Sequence, residues 1–347
     1  MRFGNSRLLA LAGLGLAIAI VATNFHVRRY YSVLPEAEAA SVAGAGGAEA
    51  ATGPQIAGCP ILPSDNVWNT PITSLKRDEH SDAYVKSIGA DKPLHPNFGS
   101  DPRNGIPYTV IDSSVKYVKV SFLYGDESDQ GHYPVPPNAL IEGGADSAPD
   151  SDRHMLLIDK SRCMLFELGG VKKQPDGSWK ADAGVKIDLT SNALRGDGKT
   201  STDAAGMAVL PGLLRYDEVA AGEIRHAIRF TAPRTQRAYV WPARHFASKN
   251  TDPNVPPMGQ RFRLRADVDI SGFSKENQVI LTALKRYGML LSDNGSPWFI
   301  IGAPDSRWDD TDLNRLKQIK GTDFEAVDES DWQMHPDSGR VDPVSLK

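Results

Sequence analysis

Residues 154–168 read HMLLIDKSRCMLFEL. Two apolar runs, His154–Asp159 and Cys163–Leu168, flank the polar break Lys160-Ser161-Arg162. Runs of this length and composition bounded by a short turn form strands, and the brief connection predicts a hairpin. The same signature recurs on both sides. YTVI (108–111) and KYVKVSFLY (116–124) are β-branched and aromatic with alternation, and GVKIDL (184–189) follows the turn-rich QPDGSWKADA. In RFRLRADVDI (261–270), Phe262, Leu264, Ala266, Val268 and Ile270 face one way, while Arg261, Arg263, Arg265, Asp267 and Asp269 face the other. MLLSDNG (289–295) and WFIIGA (298–303) read as a last pair, with Asp293-Asn294-Gly295 as the turn.

Helices are few. SDAYVKSIG (81–89), RYDEVAAG (215–222) and TDLNRLKQI (311–319), the last capped by Thr311 or Asp312, are short. The strongest is SKENQVILTALKRYG (274–288): Ser274 caps it, Val279, Leu281, Leu284 and Tyr287 face a core, and Gly288 ends it. The pattern predicts a mainly β single domain, sandwich or jelly-roll-like, with a few packed helices. A separate N-terminal subdomain ending near residue 150 is the architectural alternative. The chain has 347 residues, of which 40% are hydrophobic and 24% charged, enough for a real core. Its 31 glycines and 24 prolines suit a loop-rich β protein. The net charge of −4, with no basic stripe, argues against nucleic acid as a partner.

The first residues carry an address. Arg2 and Arg7 precede an apolar run from Leu8 to Ala22, the pattern of a secretory signal. The run is short for a membrane span, which needs about 20 residues. Extended through Phe25 and followed by Arg28 and Arg29, it also fits an uncleaved anchor, so membrane anchoring through residues 8–25 stands beside cleavage. Residues 1–32 are therefore a signal peptide or N-terminal anchor, and the remainder is expected outside the cytoplasm, secreted, periplasmic or membrane-anchored. Residues 33–57 are Ala- and Gly-rich, too poor in large apolar side chains to offset the entropy of ordering, and read as a flexible linker. The globular domain is expected over 58–330, followed by a loose polar tail over 331–347. IAGC (56–59) imitates a lipidation motif but stands too far from the apolar run.

Cys59 and Cys163 are the only cysteines. In an exported protein an isolated pair is most simply a disulfide, with two free buried thiols as the alternative. No CxxC or HxxxH spacing accompanies them, so zinc is not indicated.

The motifs LPSDNVWNTPI, DRHMLLID, LPGLLRYDEVAAGEIRHAIRFT, PPMGQRFRL and YGMLLSDNGSPWFIIGAPDSRWDD resemble a family of secreted bacterial and fungal proteins, sometimes found beside carbohydrate-binding or adhesion modules. The resemblance spans about Ile61–Val327 and implies that this span is one unit. It brings no activity, fold or catalytic residue with it.

Candidate chemistry concentrates between Leu210 and Ser248. In GEIRHAIRFT a strand would place Ile224, His226, Ile228 and Phe230 on one face and Arg225, Ala227 and Arg229 on the other. His226 is then either a hydrogen-bonded core histidine or a tuned proton carrier at the floor of a cleft. Beyond a strand AYVWP, His245 and Arg244 sit where strand meets loop, and Trp241 or Tyr239 could stack on a sugar ring or fill the core. Glu218, Glu223, His226, Arg229, Arg244 and His245 are expected to border one cleft. The candidate catalytic residues are His226, Glu223, Glu218 and His245; the candidate substrate-binding residues are Arg229, Arg244 and Trp241. Asp217, Asp293, Asp305, Asp309 and Asp310 are further carboxylates in reach of a site.

Glycosidases need a protonated and an ionised carboxyl, whereas lyases need a base and a cation that neutralises the sugar carboxylate. The histidines and arginines here could serve the second. No cofactor is indicated; GDESDQG and DSRWDDTD could hold only Ca²⁺, and neither matches an EF-hand. RGDGKTS lacks phosphate-loop spacing, and no Gly-x-Ser-x-Gly elbow occurs. The expected function is an exported protein acting on an extracellular polysaccharide or cell-surface glycan, as hydrolase or lyase. The alternative is a non-catalytic carbohydrate-binding or surface module on a tether.

Overall fold

A computed structural model describes residues 53–342. The expectations for residues 1–32 and most of the 33–57 linker lie outside that range. No described helix is long and apolar enough to cross a membrane.

The strands are β1 (Gln55–Ile56), β2 (Cys59–Pro60), β3 (His95–Asn97), β4 (Tyr108–Ile111), β5 (Val118–Phe122), β6 (His132–Tyr133), β7 (Met155–Asp159) and β8 (Met164–Gly169). They continue with β9 (Lys172–Lys173), β10 (Trp179–Ala181), β11 (Ala183–Asp188), β12 (Ile228–Ala232), β13 (Arg261–Leu264), β14 (Met289–Asn294), β15 (Phe299–Ile301) and β16 (Phe324–Val327). The helices are α1 (Ser81–Ile88), α2 (Tyr216–Ala220), α3 (Lys275–Arg286) and α4 (Asp310–Leu313). Besides the small β1–β2 pair, the strands form sheets ordered β6-β5-β10-β9, β11-β8-β7-β4 and β16-β13-β14-β12-β15-β3. The fold is mainly β. Among the described strands the pairs β4–β7, β5–β10, β12–β14 and β3–β15 are parallel. The sheets are therefore mixed, where a jelly roll is antiparallel.

The 154–168 hairpin forms as expected, with Asp159 opposite Met164. Every residue of β7 is buried, because both faces of its sheet are covered. Leu156, Ile158 and Leu165 enter the main core; Met155, Leu157, Phe166 and Leu168 enter a second core with Val120, Tyr133 and Ala181 of the small sheet. The central sheet thus lies between two apolar layers. In the main core the fully buried Trp298 stacks against Phe230 and Phe324, with ring centroids 5.7 and 5.2 Å apart.

Cys59 and Cys163 are bonded, with Cα atoms 5.2 Å apart. Ser274 caps α3 by accepting from the Asn277 amide, and Gly288 follows with φ of +67°, where a side chain would strike the Phe262 carbonyl. Asp309, rather than Thr311 or Asp312, caps α4, accepting from both amides.

Three expectations are corrected. β14 and β15 are not a hairpin: β12 inserts between them, parallel to β14 and antiparallel to β15. The alternation of 261–270 holds as strand only to Leu264, and Arg261, assigned to the polar face, is fully buried. It donates to the carbonyls of Val67 and Tyr287 and to Glu329, at 2.6–2.9 Å. The segment beyond Val327 is not loose up to Asp342: Trp332 is buried, and the carbonyls of Gly339 and Asp65 accept from the Val67 and Val341 amides.

Candidate functional site

The segment picked from sequence is not one wall. Ile224–Ala227 precede the strand, which begins at Ile228, and no strand forms over 238–242. His226 is fully buried: one ring nitrogen lies 2.7 Å from the Ala227 carbonyl and the other 3.1 Å from Glu218 Oε2. Glu218 also accepts from the buried Arg215. Burial works to raise the Glu218 carboxyl, but Arg215 and His226 outweigh it and hold the group below its ordinary range. Glu223 is elsewhere, paired on the surface with Arg225 and Arg286. Arg244 donates to the Arg195 and Pro336 carbonyls and to Asp337, and the Trp241 indole donates to Ser338, so both fasten the C-terminal segment. His245 bonds the Ala204 carbonyl and stacks on Phe246. Of the six residues expected around one cleft, Glu218 and His226 are therefore together, while Glu223, Arg229, Arg244 and His245 do not join them.

Arg215, however, leads into a real cleft of about 540 Å³. The start of α2 presents Arg215, Tyr216 and Asp217 to it; the start of β4 gives Tyr108, and the loop after β15 gives Pro304 and Asp305. Leu140, half exposed, stands on the facing loop. Arg307 lies over the Tyr216 ring at 4.5 Å and bridges the two carboxylates, 2.7 Å from Asp217 and 2.6 Å from Asp305. Its hydrogen bonds hold Asp305 below the usual carboxylate range. Burial raises the Tyr108 hydroxyl, which therefore stays protonated at neutral pH. A second groove of about 550 Å³ carries Lys186, Arg195 and Lys199, but each already donates to a neighbouring carbonyl or carboxylate.

Arg229 belongs to a third environment, an ionic cluster between the central and the six-stranded sheets. Expected opposite the apolar face and at a substrate cleft, it is buried. Its closest carboxylate is the fully buried Asp203, at 3.7 Å. Asp203 accepts through Oδ1 from the Ala205 and Met207 amides, while its Oδ2 and Arg229 Nε have no hydrogen-bond partner. Burial, opposed by Arg229 and reinforced by Asp293, pushes the Asp203 carboxyl up to about 7. Asp293 is raised by burial against the pull of Arg229. His154 bonds Glu142 at 2.6 Å and the Thr202 carbonyl at 2.8 Å. Burial opposes its charge, but Glu142 outweighs that and lifts the ring to about 9. Glu167, on the same face of the central sheet, accepts from the Val209 and Leu210 amides and from Thr202.

Glu142, His154, Glu167 and Asp203 were not singled out from sequence. The available signal was a glutamate inside the apolar run of 163–168 and a histidine opening that of 154–159, since ionisable groups in two-sided strands must find partners. Among the described residues no group of three or more His, Cys, Asp or Glu side chains is arranged to hold a metal ion. Comparison with family models, with curated proteins and with solved structures returns no match. The site therefore rests on its own geometry.

Proposed function

We propose that this is an exported protein that engages an extracellular polysaccharide in the cleft between α2, the start of β4 and the loop after β15. The observation that carries this is the pairing of Tyr108 and Tyr216 with Asp217 and Asp305 around one open cavity. Aromatic faces take the C–H face of a sugar ring, and carboxylates accept its hydroxyls. The volume is within the range of small-molecule pockets. The Cys59–Cys163 disulfide supports an oxidising compartment. We also read the central and small four-stranded sheets, joined through the Tyr133–Phe166 edge contact, as a small β-sandwich.

The cleft favours holding over cutting. Hydrolysis requires one protonated carboxyl, whereas Asp305 is kept ionised and Asp217 is bound to the same guanidinium. The second reading, a hydrolase or lyase, needs a carboxyl that holds a proton near neutral pH; burial raises Asp203 in that direction, but its side chain is fully buried and lines none of the clefts described. A polysaccharide panel separates the two. Pull-down of a glycan without new reducing ends or unsaturated-uronate absorbance supports a binding module, and product from any glycan supports an enzyme. Neither binding nor product across the panel overturns the proposal.

A further inference from the structure

We infer that the ligand of this cleft is a neutral, hydroxyl-rich glycan and not a uronic-acid polymer, because the cleft offers an open acceptor on Asp217 while each of its cations is already paired with a carboxylate. The inference rests on the proposed function and names its substrate class. A uronate needs a cation with free donors facing it, as a bidentate guanidinium provides. Three guanidinium groups stand at this cleft. Arg215 is buried and donates to the Leu210 and Leu213 carbonyls and to Glu218. Arg307 is paired with Asp305 and Asp217 through Nε and one terminal nitrogen. Arg103, 71% exposed, is paired with Asp101 through Nε and one terminal nitrogen, at 3.2 and 3.0 Å, so a ligand carboxylate would compete with Asp101 for it.

The acceptors are differently placed. Asp217 is 74% exposed and accepts from Arg307 through Oδ1, which leaves Oδ2 open to a ligand hydroxyl. Asp305 lines the same wall. Among the residues that line the cleft, two carboxylates, Asp217 and Asp305, stand with two guanidinium groups, Arg103 and Arg215. An approaching uronate therefore meets no net positive charge, and it would have to share each exposed guanidinium with the carboxylate that already holds it. Hydroxyl groups carry a smaller desolvation cost than a carboxylate and can donate to the open Asp217 oxygen, with Tyr108, Pro304 and Leu140 left for the apolar face of the ring.

The test uses the full-length chain. Binding is measured by affinity electrophoresis and calorimetry against neutral glucans, galactans, mannans and chitin, and against pectate, alginate and chitosan. The expected result is binding to at least one neutral polymer, unaffected by added salt, and lost by tenfold or more in Asp217→Ala with an unchanged thermal midpoint. Asp217 is exposed and caps nothing through its side chain, so that variant should fold. Should Asp217→Ala lower the midpoint, Asp217→Ser provides the folded comparison. Salt-sensitive binding confined to pectate or alginate, or to cationic chitosan, overturns this inference and leaves the proposed function standing. No binding to any polymer overturns both. Neutral binding untouched by the Asp217 variants also overturns the inference, because its acceptor is then not used.

Discussion

Replacing Asp203 with asparagine should change how stability depends on pH, and the structure gives both the sign and the size. Asp203 sits at the contact between the central and six-stranded sheets, fully buried, and burial lifts its carboxyl from 3.8 to about 7. A carboxyl raised in the folded state contributes stability that is complete below the unfolded value and is lost as pH rises through the folded one. At about 1.4 kcal/mol per pH unit, a rise from 3.8 to about 7 corresponds to about 4 kcal/mol, an upper value. The Asp203→Asn side chain would keep an oxygen acceptor for the Ala205 and Met207 amides and remove the charge that burial penalises. The variant should therefore gain on the wild type by up to about 4 kcal/mol as pH moves from about 4 to about 8. Urea unfolding followed by tryptophan fluorescence across that range measures the difference directly. The other titrating groups of the cluster are common to both proteins and largely cancel. A difference that stays flat with pH, or that moves against the variant as pH rises, refutes the electrostatic account of Asp203.

Other outcomes follow from the same geometry. His154, raised to about 9 from 6.5, contributes stability that is full below 6.5 and lost as pH rises through about 9, so His154→Gln should flatten the alkaline limb of the stability profile in urea titrations. His226→Gln should cost roughly 1–3 kcal/mol through a disturbed buried hydrogen bond; an unchanged urea midpoint with turnover cut by about 10²–10⁴-fold would instead place His226 in chemistry. Glu329→Ala strands the fully buried Arg261 and should cost about 3–5 kcal/mol by urea unfolding, with a loss below about 1 kcal/mol contradicting a buried pair. Reduction of Cys59–Cys163 opens a loop spanning 104 residues and should lower the thermal midpoint, with a stability loss of up to about 4–5 kcal/mol in the chain-entropy account. Two free thiols per denatured, unreduced chain would exclude the bond.

Local signals in the sequence carried the elements whose causes are local. The 154–168 hairpin needs only two apolar runs and a turn, and α3 needs only its Ser274 cap and apolar face. Sheet order is not local. The Asp293-Asn294-Gly295 turn made β14 and β15 look like partners, yet β12, from a distant part of the chain, takes the place between them. Alternation misplaced Arg229 and Arg261 for one reason: it assumes a polar face open to water. In a layered body both faces of a strand can be covered, and the charged residue then turns inward to a partner from a distant segment. Arg261 finds Glu329, and Arg229 finds Asp203. Neither partner is marked by spacing.

The segment 201–218 carries Glu218, picked from sequence, together with Arg215, Tyr216 and Asp217, which line one wall of the cleft. At its start Asp203 accepts from the Ala205 and Met207 amides, and Glu167 reaches across from the central sheet to the Val209 and Leu210 amides. At its end Arg215 turns back onto the Leu210 and Leu213 carbonyls and is locked by Glu218, which is itself held by His226. Between these anchors Gly212 has no room for a side chain: a Cβ there would lie 2.9 Å from that of Arg229 and against Trp68. The segment is thus fixed by buried charges at both ends, and its outward side carries Tyr216 and Asp217 into the cleft. If the cleft binds a glycan as proposed, Glu218 and His226 would act on it through Arg215, as positioning residues behind the lining. Their substitution should loosen the placement of Asp217 as well as the fold, whereas substitution of Asp217 should affect the ligand alone.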